Sequence, residues 1–142
     1  MSQLYELAED LFLDNFQEAS SYNGELDLDV NFEFYQRYDD LGLVKFIGAF
    51  DGNGLVGYSI LLEVPFIAHK HTTLAQCQVI YLKPEYRKGS NGVRFIKFVE
   101  NVARAINCQY LQIGIPKKQK KVHNLFVDLG YKLREATFSR RL

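Results

Sequence analysis

Apolar residues first recur with a helical period. Leu4, Leu7, Ala8, Leu11, Phe12, Asn15 and Phe16 fall at i, i+3, i+4, i+7 spacing, and Glu6, Glu9, Asp10, Asp14 and Glu18 take the opposite side. This spacing predicts an amphipathic helix from about Ser2 to Ala19. Ser20-Ser21-Tyr22-Asn23-Gly24 would end it. Residues 25–42 are acidic with interleaved Phe32, Phe34, Tyr35 and Tyr38. They read as a loop and then a short helix near Asn31 to Asp40, stopped by Gly42. From Leu43 the apolar period changes to two. Leu43 to Phe50 and Leu55 to Val64 flank Asp51-Gly52-Asn53-Gly54. Such a turn accepts positive φ, so the pattern predicts a hairpin closed by Pro65.

His69-Lys70-His71 marks a polar turn, and Thr72 to Leu82 reads as a third long strand stopped before Pro84. A basic, glycine-bearing loop follows. Val93, Ile96, Val99, Val102, Ala103 and Ile106 then return to helical spacing, predicting a helix over about Ser90 to Ile106 capped by Asn107. Gln109 to Ile115, ended by Pro116, reads as a short strand. A strand, helix and strand of this length imply a parallel pair. Lys117 to Leu129 reads as a helix with Val122, Leu125, Phe126 and Leu129 inward and Gly130 just past its end. Tyr131 to Leu142 reads as a last strand. The order is that of a single α+β domain over residues 1–142, with a mixed sheet and helices on both faces.

Composition sharpens this only in places. With 47% hydrophobic and 24% charged residues, the chain can build a core. It has no apolar run of about 18 residues, so no membrane helix is expected. Met1-Ser2-Gln3-Leu4-Tyr5-Glu6 lacks the order of a signal peptide, which points to the cytoplasm. Cys77 and Cys108, each among apolar neighbours, read as buried free thiols. The charge is more telling. Net charge is zero, yet residues 1–63 hold thirteen acids and two bases, and residues 64–142 hold four acids and fifteen bases. Asymmetry of this kind suggests two different partners. A basic run, Lys117-Lys118-Gln119-Lys120-Lys121, would be the footprint of a nucleic acid, but the acidic half opposes that partner.

The stretch Arg87-Lys88-Gly89-Ser90-Asn91-Gly92 joins a strand to a helix N-terminus. Free N–H groups and glycines there suit a phosphate. The stretch lacks both the G-x-x-x-x-G-K-[ST] and the G-x-G-x-x-G patterns, which argues against a nucleoside-triphosphate loop and a dinucleotide fingerprint. A plain helix start, with Ser90 or Asn91 as N-cap, is the bland reading.

The loop resembles the acetyl-CoA loop of the GNAT superfamily of N-acetyltransferases, Arg/Gln-x-x-Gly-x-Gly/Ala. Arg87 and Gly92 match, Ser90 replaces the central glycine, and Gly89 stands one place earlier. The order of elements resembles that fold across nearly the whole chain, as do Leu55-Val56-Gly57-Tyr58 and Gly130-Tyr131. Pro84-Glu85-Tyr86-Arg87-Lys88-Gly89-Ser90-Asn91-Gly92 with Phe98-Val99-Glu100 is similar to small phage-encoded members. The resemblance implies a GNAT-like, mostly antiparallel sheet. It also implies acetyl transfer from acetyl-CoA to the primary amine of an unidentified acceptor, by direct attack, in the cytoplasm (of a host, if phage-encoded). Ile80, Tyr81 and Leu82 would pair with the pantetheine arm. Backbone N–H groups of Arg87, Lys88, Gly89, Ser90, Asn91 and Gly92 would hold the pyrophosphate, with charge from Arg87 and Lys88, and Gln119 would keep an amide contact.

Phe126 stands where many members carry the tyrosine that protonates the leaving thiolate, and phenylalanine has no proton to give. His123 and Tyr131 are the alternatives for that task. For the base, Gln76 and Gln78 are not carboxylates, which leaves Glu63, His69 and His71. The two histidines read by default as surface turn residues, and no metal-ligand set is evident. The acidic half makes a cationic acceptor one option, and a homodimer is compatible with the sequence. The altered tyrosine also leaves room for a second reading, a weak or inactive GNAT scaffold that binds a host partner.

Overall fold

The computed structural model describes residues 2–142, with side chains from Tyr5 onward, so Leu4 lies outside the described side chains. Helix α1 spans Ser2–Ala19 and α2 spans Phe32–Asp40. Strands β1 (Val44–Asp51), β2 (Gly54–Pro65) and β3 (Thr73–Leu82) follow. After a 3-10 turn at Pro84–Tyr86 come α3 (Asn91–Ala105), β4 (Tyr110–Ile113) and α4 (Lys120–Asp128). The sheet order is β1-β2-β3-β4, antiparallel for the first two pairings and parallel for the third. This is the expected α+β architecture with a mixed sheet.

Both faces are covered. Tyr5, Ala8, Leu11 and Phe12 of α1 pack with Val44, Tyr58, Ile60, Leu62 and Tyr81, and Tyr35 and Tyr38 of α2 pack against them. Phe95, Val99 and Ala103 of α3 pack on the other face with Ile47, Leu61, Ala75 and Cys77. The buried side of α1 is rotated from its predicted stripe. Tyr5 is buried and Leu7 is 53% exposed, because the rings of Phe32 and Phe46 pull the contact toward Tyr5.

Three helix ends obey one rule. After α2, Gly42 takes φ +72°, its N–H donates to Asp39, and the N–H of Leu43 donates to Tyr38. Asn107 does the same after α3 at φ 62°, with N–H bonds from Asn107 to Arg104 and from Cys108 to Ala103. Gly130 repeats it after α4, and there the paired bonds seat Tyr131 back on Phe126. A left-handed residue closes each helix by satisfying its last carbonyls. The hairpin turn is also as expected, with Asp51 opposite Gly54 and Gly52 at φ +60°.

Four expectations fail locally. The last strand does not form. Residues 131–142 carry no strand, and Leu133 and Phe138 are 82% and 95% exposed. Tyr131 and Leu133 are odd-numbered, whereas Ala136, Phe138 and Leu142 are even, so no single strand face could bury them all. The fourth helix starts at Lys120 and not Lys117, since Lys117 to Gln119 form a turn in which the Gln119 N–H donates to Pro116. β4 is shorter than expected, ending at Ile113. Cys77 is buried but Cys108 only half-buried, and both are free thiols.

Gly57 illustrates how tightly β2 and β3 approach. A Cβ there would lie 2.6 Å from the Tyr81 carbonyl oxygen and 2.8 Å from a Leu82 methyl. Backbone cannot yield as a side-chain tip can. Gly57→Ala is expected to destabilise the fold by about 1–3 kcal/mol, the usual cost of overpacking, read as a lower urea midpoint. An unchanged midpoint would show that β3 shifts freely there.

Candidate active site

The site begins with a disagreement between two strands. β3 and β4 run parallel for four residue pairs, from Leu74 opposite Tyr110 to Cys77 opposite Ile113, and then part. On the β3 side the cause is a bulge. Ile60 pairs with Val79 and Leu61 with Cys77, so Gln78 has no partner on β2. One extra residue bends a strand and increases its twist. On the β4 side the chain turns away through Gly114 and Ile115 to Pro116, which has no N–H for a ladder.

The bulge is held from below. The carbonyl of Val79 accepts the Ser59 hydroxyl at 2.8 Å and the Cys77 thiol at 3.1 Å. Ser59 is completely buried. Burial pushes the Cys77 thiol up to about 11, so it stays protonated at neutral pH and acts as a donor, not a nucleophile.

Between the parted strands lies a cleft of about 470 Å3. Gln78 to Leu82 form one wall and Ile113 to Pro116, with Val122 of α4 and Gln119 at its N-cap, form the other. The end of α1, from Phe12 to Ser21, and Tyr35 of α2 close a third side. Because pairing with β4 stops at Cys77, the outer backbone groups of Gln78 to Leu82 have no strand partner. They form an edge that an amide-bearing ligand can extend.

At the end of β3 the glycine loop enters α3. Ser90 does stand at the N-cap of α3, one of the two positions expected, but its side chain makes no capping hydrogen bond. Among the described residues, the N–H groups of Lys88, Gly89, Ser90, Gly92 and Val93 find no hydrogen-bond partner. Gly89 has φ +60°, which a glycine adopts without strain. A Cβ at Gly92 would meet nothing within 4 Å. The backbone there is open to a close-approaching anion, with the positive end of α3 behind it.

Arg87 is committed within the fold. Its Nη1 and Nη2 donate to the two carboxylate oxygens of Glu18 at 2.6 and 2.8 Å, and Nε donates to the Leu82 carbonyl at 2.6 Å. The guanidinium also lies over the Tyr81 ring, 5.5 Å from its centre. The hydrogen bonds to Glu18 hold the Arg87 proton more tightly than usual. Arg87 therefore ties α1 to the loop, and Lys88 remains the exposed cation of the motif.

The catalytic candidates are not brought together. The Tyr131 hydroxyl donates to Glu100 on α3 at 2.9 Å, and its ring lies edge-on to Phe126 at 4.8 Å. Burial, with the Glu100 carboxylate, raises its pKa well above that of free tyrosine. His123 Nε2 is 3.2 Å from the Ile115 carbonyl and 3.3 Å from that of Pro116. Two acceptors on one nitrogen place the proton on Nε2, so His123 braces the β4 side of the cleft. Glu63 sits opposite Ala75 on β2, beyond Leu61 and away from the Tyr58 and Ile60 positions that face the cleft. His69 and His71 are exposed in the turn after β2, as the default reading had it. Of the expected cofactor contacts, Ile80, Tyr81, Leu82, Arg87 and Gln119 line the cleft. Lys88 to Gly92 form the adjoining loop. Among the described residues no group of three or more His, Cys, Asp or Glu could hold a metal, and no helix is long and apolar enough to cross a membrane.

Among the cleft residues that sequence reasoning does not reach are Asn15, Glu18, Tyr35 and Tyr58. Only Asn15 left a trace, as a polar residue on the apolar stripe of α1. Glu18 sits among acids that are otherwise solvated, so nothing marked it as the partner of Arg87.

Comparison with known proteins fits this geometry. The chain is similar in structure to a transcriptional regulator from Bacillus halodurans C-125, at TM-score 0.73 and 11% identity, covering 95% of this chain and 93% of that one. It is similar to an aminoglycoside acetyltransferase from an uncultured soil metagenomic sample, at TM-score 0.70 and 13% identity, covering 94% and 90%. It is also similar to the ribosomal-protein-alanine N-acetyltransferase of Brucella melitensis biovar Abortus 2308, at TM-score 0.60 and 17% identity, covering 78% and 80%. At such identities the likeness shows the fold. Comparison with curated proteins finds no significant match. The sequence model of one family, however, matches residues 1–131, nearly the whole chain. Parted strands, an open-backed glycine loop and that match lead to one conclusion: the chain belongs to the acetyltransferase (GNAT) family.

Proposed function

We propose that this enzyme moves an acetyl group from acetyl-CoA to the primary amine of an acceptor, by direct attack of the amine on the thioester. The observation that carries the reading is the junction of two backbone features: the outer edge of Gln78 to Leu82, which has no strand partner, leads through a short turn into the unpaired N–H groups of Lys88, Gly89, Ser90, Gly92 and Val93. A pantetheine arm has amides to match the first, and a pyrophosphate has charge to match the second. Bound there, acetyl-CoA supplies an activated acyl carbon with a thiolate leaving group.

The chain's own residues have three tasks. Ile80, Tyr81 and Leu82 align the arm, and one of their N–H groups meets the thioester carbonyl as it gains negative charge. Lys88, Gly89, Ser90 and Gly92 hold the pyrophosphate with backbone N–H groups and the α3 dipole, Asn91 closes the turn between them through its own N–H bond to Lys88, and the Gln119 amide adds a contact from the N-cap of α4. The splay between β3 and β4 keeps both substrates in one cleft, which supplies orientation. Arg87 acts here through Glu18 and Leu82, fixing the loop to α1. The Pro84 to Gly92 pattern and Phe98-Val99-Glu100 support kinship with small phage-encoded members, and a cytoplasmic site of action fits that reading.

Turnover tests the reading. With purified protein, acetyl-CoA and a panel of primary amines, CoA should be released with one acetylated amine per CoA. Binding of acetyl-CoA without transfer to any amine would favour the scaffold reading, for which Phe126 at the usual tyrosine position is the specific observation.

A further inference from the structure

The cleft offers no side chain free to deprotonate an amine. Five titratable groups face it. Glu18 of α1 has both carboxylate oxygens held by Arg87 at 2.6 and 2.8 Å. Arg87, from the loop, is that partner. Tyr35 of α2, Tyr58 of β2 and Tyr81 of β3 are phenols whose burial raises their pKa, so each stays protonated at neutral pH. The wall from β4 and α4 has none: Ile113, Gly114, Ile115, Pro116, Gln119 and Val122 carry no titratable side chain. His123 behind that wall spends its Nε2 proton on the Ile115 and Pro116 carbonyls. Asp14 is the next acid along α1; it is exposed to solvent and does not line the cleft. Phe12 and Phe16 of α1, Tyr35 of α2 and Tyr58 of β2 give the cleft an aromatic wall, beside the polar Asn15, Ser20 and Ser21.

From this arrangement we infer that the acceptor is a weakly basic primary amine, an α-amino group beside an apolar side chain, that reacts as the free base. The inference rests on the acetyl-transfer reading above. The step balances without a protein base. The neutral nitrogen lone pair attacks the thioester carbon, the C–N bond forms and the C–S bond breaks. One N–H proton passes to water, and the thiolate is protonated from water.

The consequence is a selection by basicity. An α-amine with a pKa of about 8 is roughly one-tenth free base at pH 7, whereas an ε-type alkylamine near 10.4 is below about 0.1%. The aromatic wall accepts the side chain and so favours an apolar residue next to the amine.

The experiment follows CoA release against pH for phenylalanine amide and for phenethylamine, which share a ring and differ in amine basicity. At pH 7, kcat/KM on total amine should be on the order of 10²-fold higher for the amide, less whatever the stronger nucleophile recovers. In both cases kcat/KM should rise with pH, and the midpoint should sit at the acceptor's own pKa, about two units apart. One midpoint shared by both acceptors would be an enzyme group's titration and would overturn the inference. Glu18→Gln should leave the limb where it is, and its disappearance would make Glu18 the base and overturn it too. A tripeptide amide beginning with phenylalanine separates a chain terminus from a free amino acid derivative. Whichever is faster, a limb at the α-amine's pKa supports the assignment. No CoA release from any acceptor would defeat the transfer reading itself, and the inference with it, whereas release with a shared midpoint defeats the inference alone.

Discussion

Gly92→Glu is expected to abolish the stabilisation of this protein by acetyl-CoA while leaving the unliganded fold intact. A ligand that binds only the native state at about 100 times its Kd adds ~2.7 kcal/mol. For a chain of this size that corresponds to a rise in Tm of roughly 5–10 °C. Gly92 lies in the first turn of α3, between N–H groups with no partner in the fold. A Cβ there meets no atom within 4 Å, and Gly92 is not among the positive-φ glycines. The mutant therefore has no steric reason to unfold. What the glutamate does is place a side chain and a negative charge where a pyrophosphate would sit. Gly89 would be a poorer choice, since its φ of +60° makes any side chain a folding problem. The measurement is a thermal melt with and without acetyl-CoA, for both proteins. A folded mutant with an undiminished shift would remove the pyrophosphate from this loop.

That loop was legible in the sequence because its features are local. A glycine at φ +60°, a helix start and a preceding apolar strand all lie within about a dozen residues. The same holds for the hairpin turn and for the three helix ends at Gly42, Asn107 and Gly130, where a glycine or an asparagine answers one backbone demand. The shape of the cleft was not legible. It depends on Gln78 being left out of the ladder, and a bulge is a property of two strands, decided by where Ile60 and Leu61 find partners. Nothing in Thr72 to Leu82 announces it. In the sequence Arg87 reads as a cation for phosphate, because its partner, Glu18, lies 69 residues earlier in an acidic run. The last strand fails for the opposite reason. Tyr131 and Leu133 begin a period of two, but the parity slips before Ala136, and a local pattern was extended past its end.

Phe126→Tyr is expected to speed CoA release, by up to ~10²-fold, the lower end of what general-acid assistance usually supplies. Val122 and Phe126 fall at i and i+4 on α4, so they share a face, and Gln119 stands at the N-cap of that helix. Gln119 and Val122 line the cleft, and Phe126 lies a turn farther along, 6% exposed and edge-on to Tyr131. Neither alternative donor is free. The Tyr131 hydroxyl is spent on Glu100 at 2.9 Å, and His123 is spent on two backbone carbonyls. In the wild type the sulfur is therefore expected to leave as thiolate without a proton from α4. A thiol with a pKa near that of cysteine, about 8.5, can do so, only more slowly. A new hydroxyl on Phe126 gives the departing sulfur a donor if it reaches the cleft. If it does not, a buried hydroxyl without a partner costs about 1–3 kcal/mol of stability and the rate stays flat. The two outcomes separate cleanly when CoA release at saturating amine is measured beside Tm. A faster variant with unchanged acetyl-CoA affinity makes the missing proton the limit on this enzyme. A variant that binds acetyl-CoA normally, is less stable and is no faster shows that α4 takes no part in the leaving step.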